Sequence, residues 1–218
     1  MEYQTGEVMI LKDEEFLLML GAAGVENWYG IDFDNAANPG DSEKSFNNNL
    51  ASLYMKRIVE WKDEKARITE PYRQLFKVLR DANVCILVQT ASTTGGIKGC
   101  YCDGRNVVTI EKRMTGASEI EISLQNVVEW IDDLNKSGYF PETAGEKGEQ
   151  DIPSIDEDLV SRFELHSIPS GMLIETMDIY DCGLYGVIHI KSNILEKKEL
   201  CSLEKTKKVL QDWCGGRA

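Results

Sequence analysis

A strands-then-helix pattern occurs twice in this chain. Residues 84–124 carry strand signals and run into an amphipathic helix at 126–134, and residues 172–191 do the same before a helix at 204–213. In the first unit, Val84-Cys85-Ile86-Leu87-Val88 is a strand by composition. Gly99-Cys100-Tyr101-Cys102 is a short strand, Asp103-Gly104 a hairpin signal, and Val107-Val108-Thr109-Ile110 another strand. Ile120, Ile122 and Leu124 alternate with charged or polar residues, as on a half-buried strand. In the second unit, residues 172–180 alternate, Asp181-Cys182-Gly183 makes a turn, and 184–191 is a strand built on Val187, Ile188 and Ile190. Each helix carries a tryptophan late on its inner face, Trp130 and Trp213. The pattern predicts an α+β fold: a mixed or antiparallel central sheet flanked by helices, made of two pseudo-repeated halves.

Helical signals precede the first unit. Residues 11–23 read as a helix capped by Asp13, with Phe16, Leu17 and Leu20 on one face and Gly21 and Gly24 at its end. The stretch 35–49 is loop in its first half, rich in Asn, Asp and Ser around Pro39. A second helix carries Leu50, Leu53, Tyr54 and Ile58, and residues 61–67 read as a short polar turn. Thr69 caps a third helix with Pro71 in its first turn, Leu75, Phe76 and Leu79 as its buried stripe, and an end near Asn83. Residues 159–163 read as a short helix. Between the two units, residues 142–158 hold Glu142, Glu146, Glu149, Asp151, Asp156, Glu157 and Asp158 against one base, Lys147. The expected division is therefore a helical region and first half at 1–136, an acidic linker or mobile loop at 137–158, and a second half at 159–218 sharing the same sheet.

Charge narrows the partners. Lys and Arg number 24 and Asp and Glu 37, a formal net charge of −13. A phosphate backbone or an anionic membrane is repelled by most of such a surface. Nucleic acid is disfavoured, and protein or small-molecule partners are expected. The opening, Met1-Glu2-Tyr3-Gln4-Thr5-Gly6-Glu7, has no basic or apolar region of a secretory signal, and no run is long enough for a membrane helix. A cytoplasmic location follows as the expectation. Six cysteines (Cys85, Cys100, Cys102, Cys182, Cys201 and Cys214) are then read as free thiols in a reducing compartment.

The candidates for chemistry are few. Only His166, in a presumed loop, and His189, in a strand, could serve as catalytic histidines. Cys100-x-Cys102 could begin a zinc site, but no second pair follows at the required spacing. Asp32-Phe33-Asp34 has paired acids without a preceding buried strand or the glycine and closing glutamate of a calcium loop. The stretch 94–99 has glycines and Lys98 but lacks phosphate-loop spacing. No catalytic, cofactor-binding or metal-binding residue is assigned, and no cofactor is expected.

Three features resemble the EspG family, the cytosolic chaperones of type VII (ESX) secretion systems, and its distant relatives in Gram-positive bacteria. They are the opening run Leu11-Lys12-Asp13-Glu14-Glu15-Phe16-Leu17-Leu18-Met19-Leu20-Gly21, the two helices around a polar turn at 53–79, and the strands-then-helix unit occurring twice. The resemblance lies in the order of elements. It implies a mixed sheet flanked by helices, no catalysis, and recognition of small helical secretion substrates in the cytosol. No individual binding residue carries over.

The expected function is thus a non-enzymatic binding protein, a cytosolic chaperone or adaptor for helical type VII substrates. One alternative is a winged-helix-like regulator, since Lys56, Arg57, Lys62, Lys65, Arg67, Arg73, Lys77 and Arg80 form a locally basic stretch, although acids are interleaved with them. The other is a thiol-dependent enzyme using Cys100 or Cys102 near His189.

Overall fold

The apolar run at residues 84–88 becomes β4 (Val84–Thr90), the central strand of a nine-stranded sheet in a computed structural model that describes residues 8–30, 43–91, 96–113, 119–141, 158–182 and 185–215. On one side of β4 lie β5 (Lys98–Cys102), β6 (Asn106–Lys112), β7 (Glu119–Asn126) and finally β1 (Val8–Lys12). On the other lie β8 (Asp158–Ser167), β9 (Leu173–Asp181), β10 (Gly186–Ser192) and β11 (Glu196–Leu200). Every ladder is antiparallel. The two halves meet where β4 pairs with β8, with Leu87 opposite Glu164 at the middle of the ladder.

Side chains alternate across β4, so this one strand feeds two cores. Cys85 and Leu87 point into the first, where α1 (Asp13–Ala23), α2 (Glu43–Met55) and α3 (Glu70–Asp81) cover the sheet. Phe16, Met19, Leu53, Leu75 and Phe76 pack there against Tyr101, Val108, Ile110 and Ile122. Ile86 and Val88 point into the second core, beneath α4 (Val127–Lys136) and α5 (Leu203–Cys214). There Trp130, Ile131, Leu210 and Trp213 meet Phe163, Met177 and Ile188. Each fully buried aliphatic or aromatic side chain of this kind contributes roughly 1.5–3 kcal/mol of transfer free energy.

The caps agree with the helix signals in part. Asn126 accepts from the Glu129 N–H at 2.9 Å while the Glu129 carboxylate accepts from the Asn126 N–H at 3.3 Å, a capping box at the start of α4. Gly24 ends α1 at φ 72°, where a side chain would be strained. Thr69 stands at the start of α3 but does not cap it: its hydroxyl donates to the carbonyls of Arg57 and Ile58.

Several elements differ from the sequence expectation. Leu11 belongs to β1, whose residues alternate in burial, and α1 begins only at Asp13. The Glu15 carboxylate, not Asp13, serves that helix start, accepting from the Lys12 N–H at 2.8 Å. The second helix starts earlier and stops before Ile58. The expected polar turn at 61–67 is a hairpin of β2 (Val59–Lys62) and β3 (Lys65–Ile68), turned by Asp63 and Glu64 at positive φ. Residues 159–163 are not a helix. They pair with β9 inside β8, and β11 is a further strand that the sequence reading lacked. At the head of the expected linker, Tyr139 and Phe140 are buried in the second core, while residues 142–157 lie outside the described residues. Among the described residues, no helix is long and apolar enough to cross a membrane.

Candidate functional site

The face of the sheet that carries α1 to α3 changes character at the seam between the halves. Over β4 to β7 it is apolar and covered, but among the described residues the first core includes none of β9, β10 or β11. Register instead aligns a polar row across five strands: Gln89 beside Arg162, Arg162 beside Asp178, Asp178 beside His189, and His189 beside Lys198. A second row runs from Glu164 through Thr176 and Lys191 to Glu196. Opposite charges stand side by side at Arg162 and Asp178 and at Lys191 and Glu196, which favours those strand pairings.

Arg162 and Asp178 anchor this face. The Arg162 Nε and Nη2 donate to the two Asp178 carboxylate oxygens at 2.7 and 3.0 Å, a bidentate geometry that fixes both side chains. The Tyr180 hydroxyl donates to the same carboxylate at 3.5 Å. His189 places Nε2 3.0 Å from Glu196 on the neighbouring strand. At the end of the face, Glu175 pairs with Ser192, which brings the start of β9 beside the β10–β11 turn. Met172, Leu173, Ile174, Ile194 and Leu195 are all exposed there, Ile194 at 97%. An exposed apolar tip thus adjoins a polar face.

The architecture has a solved counterpart. The Mycobacterium tuberculosis type VII secretion system chaperone EspG5, determined in complex with a PE25-PPE41 dimer, is similar over 95% of this chain and 94% of that chain, with a TM-score of 0.50 and 9% sequence identity. That likeness is one of fold. No protein-family model matches the sequence, and no curated protein matches it.

The candidates for chemistry scatter. His166 lies in β8 rather than a loop, buried, with Nε2 3.1 Å from Glu164 and its ring 4.5 Å from that of Tyr29. It shares no constellation with His189. Cys100 and Cys102 face the second core, where Cys102 Sγ lies 3.1 Å from Cys214 Sγ. Burial pushes the Cys100 thiol up to about 12. It also raises Cys85 and Cys201, and for Cys102 the hydrogen bond with Cys214 acts first, with burial adding to it. Thiols so raised are neutral and poor nucleophiles at physiological pH. Among the described residues no group of His, Cys, Asp and Glu could hold a metal ion. Asp32 and Asp34 lie outside the described residues, as do Thr94 and Gly95. Lys98 is engaged by Glu111 at 3.1 Å and sits 5.7 Å from the Tyr139 ring centre.

The basic stretch is interleaved with acids in space as in sequence. Lys56 pairs with Glu15, Arg67 with Asp63, Arg73 with Glu70 and Arg80 with Asp81. What sequence reading missed was the β8–β11 face. Its traces in one dimension are the alternation at 172–180, read as a strand, and that of Arg162, Glu164 and His166 with Phe163 and Leu165, which was not; the pairing of their polar sides appears only with the register.

Proposed function

We propose that this chain is a non-enzymatic binding protein that holds a helical partner protein on the β8–β11 face and its apolar tip, acting as a cytosolic chaperone or adaptor for a small helical secretion substrate. The observation that carries the reading is the asymmetry of one sheet face. Helices α1 to α3 lie over its first half, whereas among the described residues no helix lies over the second. A helical partner seated there would complete the layer, its apolar side chains meeting Leu173, Ile174 and Ile194 and its polar ones meeting the charged rows. The fold likeness to EspG5, solved with a PE25-PPE41 dimer, supports the same class of role.

Affinity purification of the tagged protein from its native cytosol tests this, with mass spectrometry of the co-purifying proteins. Recovery of a small helical protein that is lost on introducing Leu173→Asp with Ile194→Asp supports the reading. Recovery of no such protein, or one retained undiminished by both substitutions, overturns it.

A further inference from the structure

On the outer side of the first core, α1 and α2 part over the β2–β3 hairpin and leave a trough of about 490 Å³. Its walls are Leu17, Leu18, Phe46, Leu50 and Ile68, and its floor includes the buried Leu53. Through Ala22, Ala66, Arg67 and Ile68 it adjoins a second trough of about 480 Å³ between α1, β3 and α3. The two differ in chemistry. The second is lined by Arg67, Arg73, Lys77 and Arg80, with no carboxylate among its described lining residues. Three of these cations are paired at the rim, Arg67 with Asp63, Arg73 with Glu70 and Arg80 with Asp81, so the trough is lined by cations whose partners stand outside it. The acids paired with Arg67, Arg73 and Arg80 are exposed, at 71%, 74% and 43%, so these pairs are screened by water and can exchange for another anion, the Arg80 pair least readily.

We propose that the joined troughs bind a free single-chain anionic amphiphile, an acyl chain lying in the apolar half with its carboxylate or phosphate head on Arg67 and the neighbouring cations. The apolar half has the size and lining of a small-molecule site, predominantly hydrophobic with polar groups confined to one end. Arg67 is the one residue with charge common to both troughs, and a guanidinium can receive a carboxylate or phosphate through two parallel hydrogen bonds. The site lies on the elements preceding β4 and does not depend on the partner-binding reading.

Titration of the full chain with octanoate, decanoate, dodecanoate and dodecyl phosphate below their micelle concentrations, followed by calorimetry, tests the assignment. Saturable binding of one molecule per chain is expected. Affinity should rise by about fourfold per methylene while the tail remains in the trough. Arg67→Glu with Arg73→Glu, both at exposed positions, should weaken dodecanoate at least tenfold with an unchanged circular dichroism spectrum. Leu50→Asp should weaken it as strongly while leaving the cations in place. Non-saturable uptake, affinity independent of chain length, or affinity unaffected by the charge reversals overturns the proposal. So does binding seen only on vesicles containing anionic phospholipid, which would assign the basic trough to a membrane surface instead.

Discussion

The indole N–H of Trp213 donates to the buried carboxylate of Glu175 at 2.6 Å, joining the last helix to β9 inside the second core. Trp213 is wholly buried, so this bond is made where water cannot replace it. Glu175→Ala should therefore destabilise the protein by about 1–3 kcal/mol, since the indole is left unpaired. Glu175→Gln, which keeps an acceptor oxygen, should recover most of the loss. Urea denaturation followed by tryptophan fluorescence reads both.

Glu15 and Lys56 predict an acid-sensitive contribution to stability. Burial acts to raise the Glu15 pKa, but hydrogen bonds from Lys56, Ser52 and the Lys12 N–H, with the Lys56 charge, outweigh it and hold the carboxyl below its ordinary value of 4.5. Because the folded value is the lower one, this stabilisation is present above the unfolded value and is lost as pH falls through the folded one. Lys56→Met should cost about 2 kcal/mol at neutral pH. That is less than the roughly 3–5 kcal/mol of a fully buried pair, because the Lys56 side chain is 35% exposed. The loss should shrink as pH falls below the ordinary carboxyl value and through the lower folded one, measured as denaturation midpoints across the acid range.

The thiols should react in two classes. Cys182 is the partly exposed cysteine, and the other five are buried. Iodoacetamide at neutral pH should modify Cys182 first, with the remaining five slower by about a hundredfold or more until denaturant is added. Fast native alkylation of Cys100 or Cys102, read by peptide mass spectrometry, would revive a thiol-based chemistry.

Gly186 should not tolerate a side chain. A Cβ there would lie 2.6 Å from Pro141 Cγ and 2.9 Å from Cys201 Cβ. Gly186→Ala should cost about 1–3 kcal/mol by overpacking, seen as a lower thermal midpoint with unchanged secondary structure.

If the β8–β11 face receives the partner, Arg162→Glu should weaken the complex by about tenfold or more by placing two carboxylates opposite each other in the polar row. Arg162→Glu with Asp178→Arg should recover part of the affinity, because the cross-strand pair is restored in reverse. Titration of the purified pair by calorimetry measures it.

What could be read in one dimension followed burial. The β4 run, the alternation of Ile120, Ile122 and Leu124, and the α4 stripe of Val127, Trp130, Ile131 and Leu134 all face a core, and all were legible. The elements misread are those where apolar period says little. The β2–β3 turn uses Asp63 and Glu64 rather than glycine or asparagine. The edge strand β11, Glu196–Leu200, is mostly charged, as suits an unpaired edge. Residues 159–163 have too few positions to separate a strand from one helical turn. The candidate face was missed for a related reason: Arg162, Asp178 and His189 lie on three successive strands, the first of them read as a helix, and come side by side only once the ladder register is set.

The seam between the halves also has a meaning in time. Six of the ladders in the nine-stranded sheet join strands consecutive in the chain, so each can close as soon as its hairpin is made. The β1–β7 and β4–β8 ladders are different: Val8 must wait for Ser123, and Val84 for Ser167. During synthesis, β4 would stand with one paired edge and one open edge, exposing the backbone beside Ile86 and Val88 until more than a third of the chain had followed. An apolar strand left open in this way invites pairing with another nascent copy. The interval between the two halves, rather than the finished sheet, is when the apolar β4 stands open to such pairing.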